Sequence, residues 1–320
     1  MQINKSAKDI HKSRRRAWDD SIERHQIYLD ESTGIFKEKY LSERNCPACL
    51  SNNPMTMFYK SGGSYVCCSD CKMVYLNPAF KDEYLEEYYR SNHDLQGELV
   101  EADLEFYNSL YGKGLLEITK NLGTTGNILD VGCSTGVFLD LASKDGWDCF
   151  GLELNQKEIQ VALSKGHVVQ SSMIDTASFD VKFDAITLWD VFEHIKDGFD
   201  FLSHAKRHLS ENGVVFIQSP SRDALAPKIM GAACNMFDGL EHVNLYGIDS
   251  LVKVCERSGF EVVSFETVIS EIGVINNYLE YDHPYLGGSN NSETIFEVID
   301  ENFIRNNKLG YKFQACLRQR

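Results

Sequence analysis

Two cysteine pairs share one short spacing. Cys46 and Cys49 enclose two residues, as do Cys68 and Cys71, and 18 residues separate the pairs. Ser, Gly, Asn and Pro mark this part of the chain, which is too short and too rich in turn-forming residues to hold itself together by apolar packing. Four thiolates at this spacing would close a tetrahedral zinc site, and the binding free energy would stabilise the fold. We therefore predict a structural Zn²⁺ on these four cysteines. Cys67 competes with Cys68 but breaks the two-residue loop, and unligated buried thiols are the alternative.

A second pattern is a glycine-bearing turn at residues 130–136, between an apolar run and a helical pattern. Gly132 and Gly136 would let the backbone approach a ligand closely, and the N-terminus of the next helix offers unpaired N–H groups. Glu153 ends the next apolar run, 17 residues after Gly136. A carboxylate there would lie beside the same cleft and accept hydrogen bonds from ribose hydroxyls. The turn and the acid together predict a nucleoside-bearing ligand.

Two other enzyme classes use similar turns. A dehydrogenase places three glycines around a pyrophosphate, whereas this turn has two. Residues 132–136 also fit the G-x-S-x-G elbow of α/β-hydrolases, around Ser134. That reading needs an acid and then a histidine downstream, and it leaves both Glu153 and the segment WDVFEH unexplained.

The elements that would position these residues begin at residue 127. The runs NILDVG, WDCFGLEL, HVVQ, FDAITLW and GVVFIQ alternate with helical patterns. Such alternation predicts an α/β fold, a parallel sheet with helices on both faces, and the apolar runs predict strands buried on both sides. Two later strands, EVVSFETVIS and GYKFQACLRQ, flank an irregular insert at residues 271–307 and are typical of an antiparallel edge pair.

These segments resemble, in order and spacing, the class I S-adenosylmethionine-dependent methyltransferases over residues 126–263. ILDVGCSTGVFLDLA resembles their first motif, and FGLELN resembles their second strand with its ribose-binding acid. FDAITLWDVFEHIKD, GVVFIQSP and EHVNLYGIDSLVKVCERSGFEV resemble the later strands and their connections. The resemblance implies a Rossmann-like seven-stranded methyltransferase sheet with S-adenosylmethionine as its cofactor.

The resemblance also implies a set of cofactor-binding residues. Ser134 stands where the family has its middle glycine, so we expect its hydroxyl to face the carboxylate or amine end of the cofactor. The acid that usually binds adenine is replaced near Ser171 and Ser172, which passes that contact to the backbone or to Met173. The whole set is Asp130, Gly132, Cys133, Ser134, Gly136, Glu153, Leu154, Ser172, Met173, Trp189 and Asp190.

Methyl transfer to a hydroxyl needs a base, and histidine is suited to that role near neutral pH. His242, on the loop after the fifth strand, is the first candidate. His194 follows the fourth strand beside Glu193, where such a pair in this family often caps the next helix. DVFEH also resembles the segment that binds a divalent ion in ubiquinone-pathway O-methyltransferases. That resemblance implies Asp190, Glu193 and His194 as ligands that would acidify a substrate hydroxyl.

A zinc ribbon placed before a methyltransferase domain resembles bacterial enzymes of sugar and cell-surface glycan biosynthesis. YVCCSDCKMVYLNPAF and EYLEEYYRS match the style of those ribbons and of the helix that follows. A sugar nucleotide or glycan intermediate is the implied substrate, and the missing extra C-terminal domain of C-methylating sugar enzymes favours O-methylation. The insert segment NNYLEYDHPYLGG suits a sugar ring, or is a plain surface loop. Other options are a quinol, a natural product, or a protein- or tRNA-modifying or scaffold protein that docks through the ribbon.

Charge and composition limit the partners. The net charge of −15 opposes nucleic-acid binding despite a short basic run at residues 12–16. We see neither a membrane-span-length apolar run nor a signal peptide, and ten cysteines without an export signal indicate a reducing, cytoplasmic setting. The predicted organisation is an N-terminal helical arm (1–44), a zinc-ribbon module (45–80), a helical connector (81–116) and the S-adenosylmethionine-binding domain (117–320).

Overall fold

The computed structural model describes residues 23–91, 96–101, 103–280 and 299–320. Residues 1–22, with the basic run of the predicted arm, lie outside this part. Residues 26–44 form two short 3₁₀ helices, Gln26–Tyr28 and Glu38–Tyr40, where longer amphipathic helix was predicted. The Asp30 carboxylate accepts hydrogen bonds from the N–H groups of Ser32 and Thr33 and so closes a turn instead.

The segment with the cysteine pairs is built on short antiparallel strands: β1 (Leu41–Ser42), β2 (Pro54–Lys60), β3 (Gly63–Cys68), β4 (Val74–Leu76) and β5 (Ala79–Phe80). Strand β1 pairs with β5, and β3 pairs with both β2 and β4. Ser61 and Gly62 have positive φ angles of 48° and 91°, which suits the tight turn between β2 and β3.

Three helices follow: α1 (Asp82–Ser91), α2 (Gln96–Glu101) and α3 (Leu104–Leu122). One face of α3 is buried at helical spacing, through Phe106, Tyr107, Leu110, Tyr111, Gly114, Leu115 and Ile118. A Cβ atom on Gly114 would lie 2.4 Å from the Trp189 ring, so glycine is what allows α3 to pack this closely on the sheet. The described residues of the predicted connector are mostly helical, and α3 continues to Leu122.

The central part alternates strand and helix as predicted. Its elements are β6 (Asn127–Val131), α4 (Val137–Lys144), β7 (Asp148–Leu152), α5 (Gln156–Ser164), β8 (Val168–Gln170), β9 (Phe183–Trp189), α6 (Gly198–His208) and β10 (Leu209–Pro220). The last part contains α7 (Leu225–Met230), β11 (Asn244–Leu245), α8 (Ile248–Ser258), β12 (Phe260–Val268), α9 (Ile272–Glu280), α10 (Glu301–Asn306) and β13 (Lys312–Gln319).

Seven strands form one mixed sheet in the order β12-β13-β10-β9-β6-β7-β8. The five strands from β10 to β8 are parallel, and helices flank them. The predicted Rossmann-like seven-stranded fold is confirmed. The carboxyl ends of the parallel strands lie on one side of the sheet, and the direction of the crossovers reverses between β6 and β9. Ligands bind beyond the carboxyl ends of the strands at such a switch point.

The last part of the chain confirms one local prediction and differs from another. Strands β12 and β13 form the predicted antiparallel pair at one end of the seven-stranded sheet, with β12 outermost and β13 also antiparallel to β10. The insert carries helices α9 and α10 rather than irregular chain, while residues 281–298, with much of NNYLEYDHPYLGG, lie outside the described part.

The cysteine-bearing segment shares its sheet with the methyltransferase-like part. Strand β11 pairs with β4, matching Asn244 to Tyr75 and Leu245 to Val74. The result is a four-stranded sheet, β11-β4-β3-β2, which we call the cysteine sheet. No helix in the described residues has the length and apolar character needed to cross a membrane.

Candidate functional site

The glycine turn follows β6 directly. Gly132, Ser134 and Gly136 have positive φ angles of 73°, 50° and 81°, which is the conformation that glycine adopts without strain. The N–H groups of Gly132 and Cys133 donate to the Leu152 carbonyl at 2.8 and 3.0 Å and tie the turn to β7. Gly136 is the N-cap of α4 and has no side chain to cap it, so the turn presents backbone N–H groups at a helix N-terminus.

Glu153 lies against this turn. Its Oε2 accepts a hydrogen bond from the Ser134 N–H at 2.9 Å, and its Oε1 accepts from the N–H groups of Leu154 and Asn155 at 2.7 and 2.9 Å. A carboxylate has about four acceptor positions, so these three bonds leave about one position, on Oε2, for a ligand hydroxyl. The acid and the turn that the sequence singled out therefore meet in one place.

The Ser134 hydroxyl binds a carboxylate of the protein itself. Its Oγ donates to Glu158 Oε1 at 3.0 Å, and the Gly97 N–H donates to the same oxygen at 2.9 Å. Glu158 is buried on α5, so it holds the turn and helix α2 together. Sequence reasoning missed this pair because the contact with Gly97 spans 61 positions.

Asp130 is also inside the protein, with 3% of its surface exposed. Its Oδ1 accepts a hydrogen bond from the Thr187 hydroxyl at 2.7 Å. Burial raises the pKa of the Asp130 carboxyl to about 8. The residue therefore joins β6 to β9 beneath the turn.

The predicted adenine side lies at the end of β8. The Glu153 N–H donates to the Gln170 carbonyl at 3.2 Å, which brings the loop after β8 beside Glu153. Met173 on that loop is exposed, while the Ser172 hydroxyl is 2.9 Å from Thr176 Oγ1. Met173 is thus the more available of the two side chains.

Trp189 and Asp190 end strand β9. Trp189 is buried against the rings of Tyr111, Phe138 and Phe216, with centroids 4.7 to 5.0 Å away. Asp190 has a φ of 56°, and its Oδ2 accepts hydrogen bonds from Lys312 and, at 3.3 Å, from Gln218. Lys312 comes from β13 and carried no local sequence signal.

A compact cluster of three acceptor groups lies next to these residues. One ligand atom each from Glu193, His194 and His242 lie within 4.8 Å of one another, and the two imidazole centroids are 4.9 Å apart. Asp190, predicted as an ion ligand with Glu193 and His194, is not in this group; its Oδ2 binds Lys312 instead. His242 takes its place, and the two predicted catalytic histidines come together.

Glu193 is fully buried, and neither of its oxygens has a hydrogen-bond donor among the described residues. Burial raises the pKa of its carboxyl above the ordinary value, against the opposing charge of His194. A buried carboxylate without a donor is costly unless a cation or a proton compensates it. The cluster therefore calls for a positive partner.

Backbone carbonyls fix the tautomers of both rings. His242 Nδ1 is 2.8 Å from the Met236 carbonyl, and His194 Nδ1 is 3.0 Å from the Glu241 carbonyl and from the Tyr89 hydroxyl. Because a carbonyl only accepts, each Nδ1 carries the hydrogen, and Nε2 of each neutral ring is left as an acceptor.

The charge balance favours proton uptake by His242. Burial lowers its pKa, but the carboxylates of Asp238 and Glu193 raise it more, so the pKa lies above the ordinary value. Helix α6 has its own cap, since the Asp197 side chain accepts from the Asp200 N–H at 3.0 Å. The capping role considered for His194 is therefore performed by Asp197.

The four cysteines of the paired motifs form a second cluster. All four sulfurs lie within 4.8 Å of one another, with Cys46 and Cys71 at 3.4 Å and Cys49 and Cys68 at 3.6 Å. Zn–S bonds of about 2.3 Å place the sulfurs of a tetrahedral site about 3.8 Å apart, which this set matches closely. Cys67 is outside the cluster, 3.7 Å from the Cys68 carbonyl.

Comparison with known families matches residues 104–265, about half of the chain, to the family described as a methyltransferase domain. A ubiquinone biosynthesis O-methyltransferase of Pasteurella multocida (strain Pm70) is 33% identical over 132 residues, covering 34% of this chain and 54% of that protein. Its counterpart in Histophilus somni (strain 2336) is 28% identical over 123 residues, covering 34% and 52%. The chain thus spans about half the length of these curated relatives.

Among solved structures, the plantazolicin methyltransferase BpumL in complex with SAH aligns with a TM-score of 0.50. The alignment covers 73% of this chain and 93% of that one at 16% identity. At this identity the likeness concerns the fold.

Proposed function

The chain belongs to the methyltransferase domain family, and from that premise we propose that it transfers a methyl group from S-adenosylmethionine to a hydroxyl of a sugar nucleotide or glycan intermediate. The observation that carries the proposal is the meeting of the glycine turn with Glu153, at 2.9 Å from the Ser134 N–H to the carboxylate. S-adenosylmethionine supplies an electrophilic methyl group. The turn and Glu153 would hold its amino-acid and ribose portions, and Met173 and Leu154 would border its adenine.

His242 is the proposed general base. Its Nε2 is an acceptor in the neutral ring, and the neighbouring carboxylates of Asp238 and Glu193 stabilise the charged ring after it takes the proton. His194, held by the Glu241 carbonyl and Tyr89, would orient the acceptor hydroxyl. Trp189, buried against the rings of Tyr111, Phe138 and Phe216, would border the cofactor.

Both the names of the relatives and the cysteine-bearing segment bear on the class of the methyl acceptor. The relatives are named O-methyltransferases, which supports an oxygen acceptor and keeps a quinol or a natural-product phenol as the alternative small molecule. The ribbon-like segment and its resemblance to glycan enzymes favour a sugar. We further propose that the protein works in the reducing cytoplasm, since all ten of its cysteines are free of disulfides.

Two measurements test this function. Isothermal titration should show one S-adenosylmethionine bound per chain. A panel of nucleotide sugars, phenols and quinols is then incubated with the protein and the cofactor, and mass spectrometry should reveal one added methylene unit on a nucleotide sugar. Methylation of a phenol or quinol alone would move the acceptor to the alternative, and methylation of protein or tRNA alone would reject both.

A second form of the chemistry uses a divalent ion on Glu193, His194 and His242. The specific observation in its favour is that these groups offer three acceptors within 4.8 Å, while Glu193 has no donor among the described residues. An ion there would lower the pKa of a bound hydroxyl. Metal analysis distinguishes it: the parent should hold one more equivalent than Glu193→Gln, which keeps all four cysteines. Equal metal content in the two proteins would leave the proton as the positive partner.

For the cysteine cluster we propose structural Zn²⁺. The donor set, its spacing and the distances of 3.4 and 3.6 Å support this ion. A docking role for the ribbon in a protein- or tRNA-modifying scaffold is the alternative from another class. The net charge of −15 opposes tRNA, and a salt-dependent mobility shift of tRNA would favour it.

A further inference from the structure

The loop that carries His242 is held from outside by the cysteine sheet. We define the His242 loop as residues 236–243, between α7 and β11. Tyr65 on β3 is fully buried. Its hydroxyl accepts a hydrogen bond from the Gly239 N–H at 3.1 Å and donates to the His242 carbonyl at 3.4 Å. One side chain of the sheet thus bonds the loop at two points, one of them on His242 itself.

The backbones of the sheet and the loop also touch. A Cβ atom on Gly63 would lie 2.1 Å from the Gly239 carbonyl oxygen, so glycine is needed there. The Leu76 N–H donates to the Val243 carbonyl at 3.0 Å, one residue after His242. The loop therefore lies on β3 and β4 before it joins the same sheet as β11.

Within the loop, Asp238 supplies a second set of bonds. Its carboxylate accepts from the N–H groups of Leu240, Glu241 and His242 at 2.8 to 3.2 Å. These bonds shape the loop, but all of them lie inside it. Only external contacts fix where the loop stands relative to Glu193 and His194.

We propose that Tyr65 is a positioning residue for His242, and that the cysteine sheet serves as the frame of the catalytic loop rather than as a separate docking module. The inference rests on the proposed function, in which His242 takes the proton. The cofactor turn is bonded to β7 and to Glu158 of α5 instead, and the Gly97 N–H of α2 donates to the same glutamate. Loss of the Tyr65 hydroxyl should therefore disturb the base and spare the cofactor.

The test uses the full chain with Tyr65→Phe and a matched control, Tyr59→Phe, on the exposed face of the neighbouring strand β2. Hydrogen exchange with mass-spectrometric detection follows peptides that cover residues 236–243. Titration calorimetry measures S-adenosylmethionine affinity, and metal analysis measures zinc. The kcat and KM are measured with the acceptor that the panel identifies.

For Tyr65→Phe we expect about tenfold faster exchange confined to the His242 loop. We expect about tenfold lower kcat with a smaller change in KM, since small displacements of a catalytic group strongly slow the chemistry. Zinc content and cofactor affinity should match the parent, and Tyr59→Phe should match it in every measurement.

Unchanged loop exchange, unchanged kcat, or faster exchange spread over the whole chain would overturn the proposal. Failure of the proposed function gives different results. If the parent binds no S-adenosylmethionine, or if a His242→Ala variant keeps the parental kcat, the proposed function is rejected. The hydrogen-exchange comparison of the His242 loop does not depend on either result.

Discussion

Ser134 and Glu158 are joined by a hydrogen bond of 3.0 Å from the serine Oγ to the carboxylate. The residue that departs from the family's glycine is thereby tied to α5, and the same carboxylate oxygen accepts the Gly97 N–H from α2. Ser134 has a φ of 50°, a conformation that is unfavourable for a residue with a side chain. The bond to Glu158 helps to stabilise it.

Replacing Glu158 with Ala should weaken cofactor binding. Both Ser134 and the Gly97 N–H would lose their acceptor, and two hydrogen bonds contribute about 1 to 3 kcal/mol together. We expect the Kd for S-adenosylmethionine to rise about tenfold in titration calorimetry. Glu261→Ala, at an exposed position of β12, is the control. An unchanged Kd would mean that the turn keeps its shape without α5.

Glu153→Gln should have a larger effect on the same Kd. The charged acceptor of the ribose hydroxyls would be lost, and the amide would oppose the N–H groups of Ser134, Leu154 and Asn155. Charge-assisted bonds are worth about 1.5 to 3 kcal/mol each, so we expect about a hundredfold increase. Asp148→Asn, exposed on the same strand, should bind like the parent, and equal affinities of the two variants would contradict the ribose assignment.

The parts that sequence predicted are those encoded by neighbouring residues. The turn with Gly132 and Gly136 needs only a strand, two positive φ angles and a helix. The spacing of the four cysteines along the chain likewise identifies them as one cluster. The contacts between residues far apart in sequence depend on the order of the strands in the sheet. Lys312 reaches Asp190 across 122 positions because β13 inserts beside β10, and no local pattern encodes that insertion.

The ion ligands predicted from the sequence also depend on contacts that no local pattern encodes. Asp190, Glu193 and His194 are close in sequence, so the pattern grouped them. The positive φ of Asp190 turns its side chain toward Lys312, and His242 enters from a loop 48 positions after His194. Its position depends on the cysteine sheet, which sequence treated as a separate module.

Removing one cysteine ligand should remove the zinc. Cys46→Ser leaves three thiolates, and the loss of the closed site should lower the melting temperature because metal binding stabilises the folded chain. Plasma mass spectrometry should find one equivalent of zinc fewer than in the parent. Cys67→Ser, whose sulfur is outside the cluster, is the control. Retention of zinc in Cys46→Ser would reject the four-cysteine site.

Asp130 should make stability depend on pH. The pKa of its carboxyl is about 8 in the folded protein, raised by burial, and about 3.9 in an unfolded chain. Between these values the folded state holds a proton that the unfolded state lacks, so the free energy of unfolding falls as pH rises. The slope from this group approaches about 1.4 kcal/mol per pH unit.

Asp130→Asn keeps an acceptor for the Thr187 hydroxyl, bonded at 2.7 Å in the parent, and cannot ionise. Urea unfolding at several pH values should show a shallower decline from pH 5 to pH 8 than in the parent. Asp145→Asn, exposed after α4, should keep the parental slope. Identical slopes in the parent and Asp130→Asn would show that this carboxyl ionises normally in the folded chain.

Arg44 joins three separate parts of the chain. Its guanidinium donates to the carbonyls of Leu76, Lys196 and Val243 at 3.1, 2.9 and 2.8 Å, and to the Asn244 side chain at 2.7 Å. A lysine has one compact ammonium and cannot reproduce this fork. We expect Arg44→Lys to lower the free energy of unfolding by about 2 to 4 kcal/mol, because buried carbonyls lose their donors.

Urea unfolding checks the value, with Arg90→Lys as the control. Arg90 is about half exposed and pairs with Glu86 within α1, so its replacement should change stability by less than about 0.5 kcal/mol. Because Arg44 holds Val243 and Asn244 beside His242, Arg44→Lys should also speed hydrogen exchange in the His242 loop. A loss of stability without faster loop exchange would mean that Arg44 acts only through Leu76 and Lys196. Parental stability in Arg44→Lys would show that water replaces the guanidinium at all four acceptors.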